Sequence, residues 1–252
     1  MIEIDEIKRL AKIQKLTPSQ QEKHYIQTVA LSGIYTIIAN ELMFKGGTAL
    51  FFFYGLDRFS EDLDFTKTGP INAPKLKTTV SNMFDLLNIP HEIKKAPSLA
   101  GDTWKIKAKG PLYKGPLSES IVRIEISECN DVVLEPDIKE ITPMYNDLRP
   151  FTIPIMKKEE ILAEKTRALL TRVKARDLYD AAFLLKKGVQ WDINLVEKKL
   201  AYYKKHYDAE ELKTKVMTIK DIWKSELHGL VACLPQFDDV LQLILTTLKE
   251  NR

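Results

Sequence analysis

Phe44-Lys45-Gly46-Gly47-Thr48-Ala49-Leu50, followed shortly by Ser60-Glu61-Asp62-Leu63-Asp64-Phe65, is the stretch around which the rest of the sequence is arranged. Two glycines end an apolar run just before Thr48, a residue able to cap a helix, which predicts a strand, a tight turn and a helix start. Asp62 and Asp64 alternate with Leu63 and Phe65. In a strand, both carboxylates emerge on one face, about 7 Å apart at the backbone. A glycine turn that opens a helix can cradle phosphate, and two carboxylates on one face can hold Mg²⁺. The expectation is a site for a nucleoside triphosphate and its metal.

The chain has 252 residues, 44% of them apolar and 29% charged, a globular rather than a disordered composition. No run approaches the ~18 uncharged apolar residues of a membrane span. Met1-Ile2-Glu3-Ile4-Asp5-Glu6 carries acid where a secretory signal carries base, so a cytoplasmic protein is expected. Cys129 and Cys233 lack zinc-ligand spacing and read as two buried, reduced thiols. Of the net charge of +3, residues 157–220 alone contribute +6, from sixteen Lys/Arg against ten Asp/Glu. Such a tract suits a polyanionic partner, or equally a solvated lysine-rich surface.

Periodicity divides the chain in two. Residues up to 40 read as helical, with Thr17-Pro18-Ser19-Gln20 starting a second helix. Residues 42–44 read as a strand, 49–54 as a buried helix ended by Gly55, 58–66 as the strand carrying the aspartates, and 75–87 as a helix. Strand-like runs follow at 91–95, 103–109 and 121–127, the last two joined by the turn-rich 109–116. Proline-interrupted 132–155 reads as an extended linker. From Met156 everything reads as helix, at 159–173, 176–187, 194–206, 209–224 and 237–249. The expected fold class is α/β (α+β): a mixed β-sheet core with flanking helices over 1–155, then an all-helical domain over 156–252.

Further residues extend the candidate site. Glu125 lies on the polar face of 121–127 and is a candidate third metal carboxylate; a surface ion pair with Arg123 or Lys107 is the alternative. Lys165 and Arg172 share one helix face, as do Asp177 and Asp180. By spacing alone, the preferred reading is an Arg176–Asp180 ion pair and a solvated Lys165.

Together, Phe44–Leu50, Arg58–Phe65, Glu22-Lys23-His24-Tyr25, and Glu160–Lys165 with Arg172 and Arg176–Asp180 resemble the abortive-infection (AbiEii-type) toxin nucleotidyltransferases of the DNA polymerase β-like superfamily. The resemblance spans residues ~22–185 and implies a nucleotidyltransferase-type sheet core. It implies that Gly46, Gly47 and Thr48 bind triphosphate. Arg58 and Ser60 would contact nucleotide beside Asp62 and Asp64, which hold Mg²⁺ or Mn²⁺. Lys165 would contact the phosphates, and Asp177 with Asp180 would form the last acidic motif. Departures are Thr48 where serine is frequent and His24 where aspartate is frequent; Glu125 matches only the wider superfamily. The implied activity is Mg²⁺-dependent transfer of NMP from an NTP to an acceptor hydroxyl, with a tRNA 3′ end as acceptor and a protein antitoxin as partner, in phage defence. The alternatives are nucleotidyl or phosphoryl transfer to a small aminoglycoside-type molecule or a protein, and a non-catalytic RNA- or partner-binding module.

Overall fold

A computed structural model describes residues 1–97, 101–129 and 131–250. The chain forms two compact units: an α/β unit of Met1–Ala49, Glu61–Asn130 and Pro136–Ile155, and a helical unit of Leu50–Ser60, Asp131–Glu135 and Met156–Arg252.

In the α/β unit, α1 (Ile4–Gln14) precedes α2 (Pro18–Tyr35). The start of α2 follows from its sequence: the Thr17 hydroxyl accepts from the Gln20 N–H, the Gln20 side chain accepts from the Thr17 N–H, and Pro18 fills the first turn. Then come β1 (Leu42–Lys45), α3 (Gly46–Tyr54), β2 (Leu63–Lys67), α4 (Ala73–Leu86), β3 (His91–Ala96), β4 (Gly101–Ala108), β5 (Ser120–Ser127), β6 (Asp137–Ile141) and β7 (Phe151–Ile155). The strands make one 7-stranded sheet in the order β3-β4-β5-β2-β1-β7-β6. It is mixed: β2 runs parallel to β5 and β1 to β7, while the other pairs are antiparallel.

Strict alternation on β5 buries Val122, Ile124 and Ile126 and exposes Ile121, Arg123 and Glu125. Phe44, Leu63, Phe65, Trp104 and Ile106 continue the buried face, and α2 and α4 pack on this sheet. The opposite face carries the polar side chains of the site.

Two expectations for this unit are corrected. Residues 58–62 are not strand: β2 begins at Leu63, and Arg58 makes an isolated bridge to Val231 in the helical unit. Residues 132–155 are not a linker, because β6 and β7 complete the sheet. Both are 5-residue strands, β6 pairing with β7 at the sheet edge and β7 joining the sheet through β1, far back in the chain, so local pattern marks them poorly.

The helical unit contains α5 (Lys158–Thr171), α6 (Ala175–Lys186), α7 (Ile193–Ala201), α8 (Ala209–Thr218), α9 (Trp223–Leu227) and α10 (Phe237–Glu250). A 3₁₀ turn over Ile219–Ile222 breaks the helix expected at 209–224. The helix expected at 194–206 stops at Ala201, and Lys204 turns the chain at φ 54°.

A single cut at 155 does not describe the division, because two short segments belong with the helices. Segment 50–60 is held by the Arg58–Asp180 pair, by the Tyr179 hydroxyl donating to Asp57, and by the Phe59 N–H donating to the Leu230 carbonyl. Segment 131–135 is held by the Glu160 carboxylate, which accepts from the Val133 and Leu134 N–H groups. Cys129 is buried as expected, but Cys233 is exposed; both are free thiols. Among the described residues, no helix is long and apolar enough to cross a membrane.

Candidate active site

The acids of the α/β unit are placed by register. Asp64 on β2 is the in-register neighbour of Glu125 on β5 and, on its other side, of Lys45 on β1. In-register neighbours share a sheet face, with backbones about 4.8 Å apart. Lys45 therefore flanks Asp64; no spacing in the sequence marks it for this place, although it adjoins the glycines. Asp62 and Asp64 are half-buried, whereas Glu125 is exposed.

Gly46 opens α3 at φ 74°. A Cβ at this position would lie 2.3 Å from Asp64 Oδ2 and 3.0 Å from its Cγ. The glycine is thus required twice, by the left-handed backbone and by the carboxylate packed against it. Thr48, fully buried, donates its hydroxyl to the Asp62 main-chain carbonyl. That bond ties the first turn of α3 to the loop that delivers the aspartates. The expectation that the Thr48 hydroxyl binds phosphate thus meets a side chain already occupied in positioning Asp62. Gly47, next in the turn, is buried.

Glu22-Lys23-His24-Tyr25 acts through support. The Glu22 carboxylate accepts from the Leu112 N–H at 2.5 Å, anchoring the β4–β5 hairpin, and burial raises its pKa. A Cβ on Gly110 would lie 2.5 Å from Glu22 Oε1. Lys23 pairs with Glu61 at 2.6 Å, beside Asp62. His24 Nδ1 shares a 2.6 Å hydrogen bond with the Tyr145 hydroxyl, and burial pulls the imidazole pKa down to about 4. The Tyr25 hydroxyl donates to Asp147 at 2.5 Å. Here His24 is a neutral packing partner of Tyr145.

The helical unit holds a second constellation. Lys165 Nζ lies 3.0 Å from Asp177 Oδ1 and 2.8 Å from Asp180 Oδ2. Arg172 Nε donates to Asp177 at 2.8 Å. Arg58 grips Asp180 with two parallel bonds, from Nε at 3.0 Å and Nη2 at 2.9 Å, and donates from Nη1 to the Phe59 carbonyl. The solvated-lysine alternative fails, because Lys165 has only 13% of its side chain exposed. The Arg176–Asp180 alternative fails too, because Asp180 pairs with Arg58 and Lys165.

Burial alone would raise the carboxyl pKa values here, but the Lys165 charge and Arg172 hold Asp177 down, and Arg58 and Lys165 hold Asp180 down. Burial would likewise lower Lys165, yet the charges of Asp180 and Asp177 raise it. Arg58 and Asp180 have side chains 3% and 0% exposed, so they act through one another and through Lys165. Ser60, two residues beyond Arg58, is also buried.

Among the described residues, no three His, Cys, Asp or Glu side chains come close enough to hold a metal ion by themselves. Glu125, in register with Asp64 at the backbone, does not complete a carboxylate trio with Asp62 and Asp64. The donor chemistry nevertheless fits Mg²⁺ or Mn²⁺, hard cations that take one or two carboxylates plus phosphate and water oxygens. The space that a Cβ on Gly46 would fill is left beside Asp64 Oδ2.

The family model described as "Nucleotidyl transferase AbiEii toxin, Type IV TA system" matches residues 31–243. No curated protein matches the chain. Among solved structures, the nucleotidyltransferase toxin MenT4 of Mycobacterium tuberculosis H37Rv superposes with a TM-score of 0.67 at 16% identity, over 99% of this chain and 90% of that one. A candidate nucleotidyltransferase of H. pylori gives 0.64 at 21% identity, over 93% and 95%. JHP933 from Helicobacter pylori gives 0.59 at 21% identity, over 90% of each chain. At these identities the likeness is one of fold.

Proposed function

Because this chain belongs to the AbiEii nucleotidyltransferase toxin family, we propose that it transfers a nucleoside monophosphate from an NTP to the hydroxyl of an RNA acceptor, as the toxin of a toxin–antitoxin pair. The observation that carries this reading is the fit of Gly46 against Asp64, a turn and helix start built around a carboxylate with no room for a side chain.

In this proposal the Gly46 and Gly47 N–H groups, at the start of α3, receive the triphosphate, favoured by the helix dipole. Asp62 and Asp64 would hold Mg²⁺ or Mn²⁺, which neutralises triphosphate charge when bound. Thr48 fixes the Asp62 backbone. Lys165 supplies positive charge to the phosphates, its ammonium oriented by Asp177 and Asp180. Arg58 orients Asp180 in turn. In the reaction, the acceptor hydroxyl oxygen bonds to the α-phosphorus and gives up its proton to solvent, the bond between that phosphorus and the oxygen bridging to the β-phosphate breaks, and pyrophosphate leaves with that oxygen. A tRNA 3′ end is the acceptor favoured by the basic 157–220 tract. A cognate protein antitoxin, a role in phage defence and a cytoplasmic location follow as further parts of the proposal.

The test is incubation of the protein with each labelled NTP, Mg²⁺ and total RNA. Label on RNA is expected, lost in Asp62→Ala together with growth inhibition. Label on a small molecule or protein instead would move the acceptor class. No transfer to any acceptor, with NTP-independent RNA binding, would favour a non-catalytic module.

A further inference from the structure

The sheet face that carries Asp64 and Glu125 continues past them to the β3 edge. There, register sets Lys94 opposite Lys105 and Lys105 opposite Arg123, one basic row across β3, β4 and β5. The next row toward the acids is Ala96, Thr103 and Glu125, and Asp64 is the neighbour of Glu125 on β2. The basic row therefore lies two residues, about 7 Å, along the strands from Glu125 and spans about 10 Å across them. Row and carboxylates are parts of one sheet, so backbone pairing fixes their separation.

The row beyond, Glu92, Lys107 and Ile121, is close to neutral: Lys94 Nζ is 2.7 Å from Glu92, and Lys107 Nζ is 4.0 Å from Glu119. Lys105 and Arg123 have no carboxylate within ion-pair distance among the described residues. Like charges directly opposite one another across strands destabilise a sheet. A lysine on an edge strand guards against strand addition, which accounts for Lys94. It does not account for Lys105 and Arg123, on inner strands. A polyanion lying across the row turns the mutual repulsion of Lys105 and Arg123 into attraction and draws the exposed Lys94 from Glu92, whereas a cationic small acceptor would be repelled.

We propose that Lys94, Lys105 and Arg123 form a track for the phosphodiester backbone of the RNA acceptor, leading its end toward Asp62 and Asp64. The acceptor phosphates stop at the basic row, since the next row presents Glu125. Glu125, exposed, then faces the terminal nucleoside, where a hydroxyl rather than a phosphate suits it. This rests on the transferase reading above and adds to it the route of the acceptor.

The experiment compares the full chain with the triple variant Lys94→Gln/Lys105→Gln/Arg123→Gln. The control is Lys12→Gln/Lys75→Gln/Lys77→Gln, which removes the same charge from exposed positions on α1 and α4. Binding of a fluorescent single-stranded oligonucleotide is titrated at several salt concentrations, and KM and kcat for RNA are measured in the label-transfer assay. With three cations no longer neutralising phosphates, the slope of log K against log salt should fall by about 2 in the row variant. Its KM for RNA should rise about tenfold or more, with kcat and NTP affinity held. The control should keep the wild-type slope and KM.

Equal loss in both triple variants, or an unchanged slope in the row variant, overturns the track while leaving the transferase reading intact. Absence of transfer by the wild type, with oligonucleotide binding still lost in the row variant, overturns the transferase reading and leaves the track. A wild type that binds no oligonucleotide at low salt overturns the track outright.

Discussion

Alanine at position 46 puts a methyl group 2.3 Å from Asp64 Oδ2, on a backbone at φ 74°. The left-handed conformation costs a non-glycine residue about 1–2 kcal/mol, and the contact must be relieved by moving the carboxylate. Gly46→Ala should therefore melt only slightly earlier than wild type but lose about 10²-fold or more in label transfer, as catalytic groups misplaced by an ångström do. Transfer near the wild-type rate would show that the Asp64 carboxylate has no part in the reaction. His24 makes a different prediction. Its imidazole, pulled down to about 4 from the ordinary 6.5, binds fewer protons folded than unfolded between those pH values. Stability contributed by the neutral ring is present above pH 6.5 and declines as pH falls toward 4. His24→Gln should flatten denaturation midpoints across that window, and an unchanged pH slope would contradict the assignment.

Between elements, helices α5 and α6 and the segment before β2 are joined by one buried charge cluster. Arg58 and Lys165 face Asp177 and Asp180, and these four buried charges depend on one another for their solvation, while Arg172 reaches Asp177 from an exposed position. Removing one partner from such a buried group costs about 3–5 kcal/mol, because the partners are left buried and uncompensated. Asp180→Asn should lower the stability of the helical unit by that order, measured by urea titration. The signs with pH follow from the shifts. The carboxylates, held below 3.8, stabilise above that pH, and the contribution is lost as pH falls through the lowered values. Lys165, raised above 10.5, contributes below that pH, and its share is lost as pH climbs through the raised value. Wild type should therefore lose stability below about pH 4 more steeply than Asp180→Asn does. Parallel acid limbs would mean that the Asp180 carboxylate does not carry the linkage.

At the level of the whole molecule, the placement of segment 131–135 with the helices depends on residues with no part in the proposed chemistry. Lys199, fully buried, lies 2.6 Å from Glu160 and donates to the Asp131 carbonyl at 2.7 Å, with Glu164 at 3.5 Å. Glu160 in turn accepts two backbone N–H groups of segment 131–135, so one ammonium and one carboxylate fasten that segment to the helices. Lys199→Met should destabilise the helical unit by about 3–5 kcal/mol, and adding Glu160→Gln should recover part of the loss. Equal stability of wild type and Lys199→Met in a urea melt would rule out the clasp. Because the cluster lies outside the proposed chemistry, kcat of the folded fraction should hold.

Much of this molecule is local, and local features are what a sequence encodes directly. The capping box at Thr17, the helical periodicity of α5 and α6, the alternation on β5 and the glycine turn before α3 each depend on neighbours within a few residues. Asp62, Asp64, Lys165, Asp177 and Asp180 are accordingly visible as candidates from spacing and motif. Their partners are not. That Asp64 sits against Gly46, that Thr48 holds the Asp62 carbonyl and that Arg58 belongs to Asp180 are pairings across 14 to 122 positions of chain. Pairing at that range has no period to read. The same reason hides β6 and β7, the placement of segments 50–60 and 131–135, and the alignment of Lys94, Lys105 and Arg123. Composition supplies a basic tract at 157–220, but strand register, which exists only once the sheet is assembled, sets three cations from elsewhere in a row beside the acids.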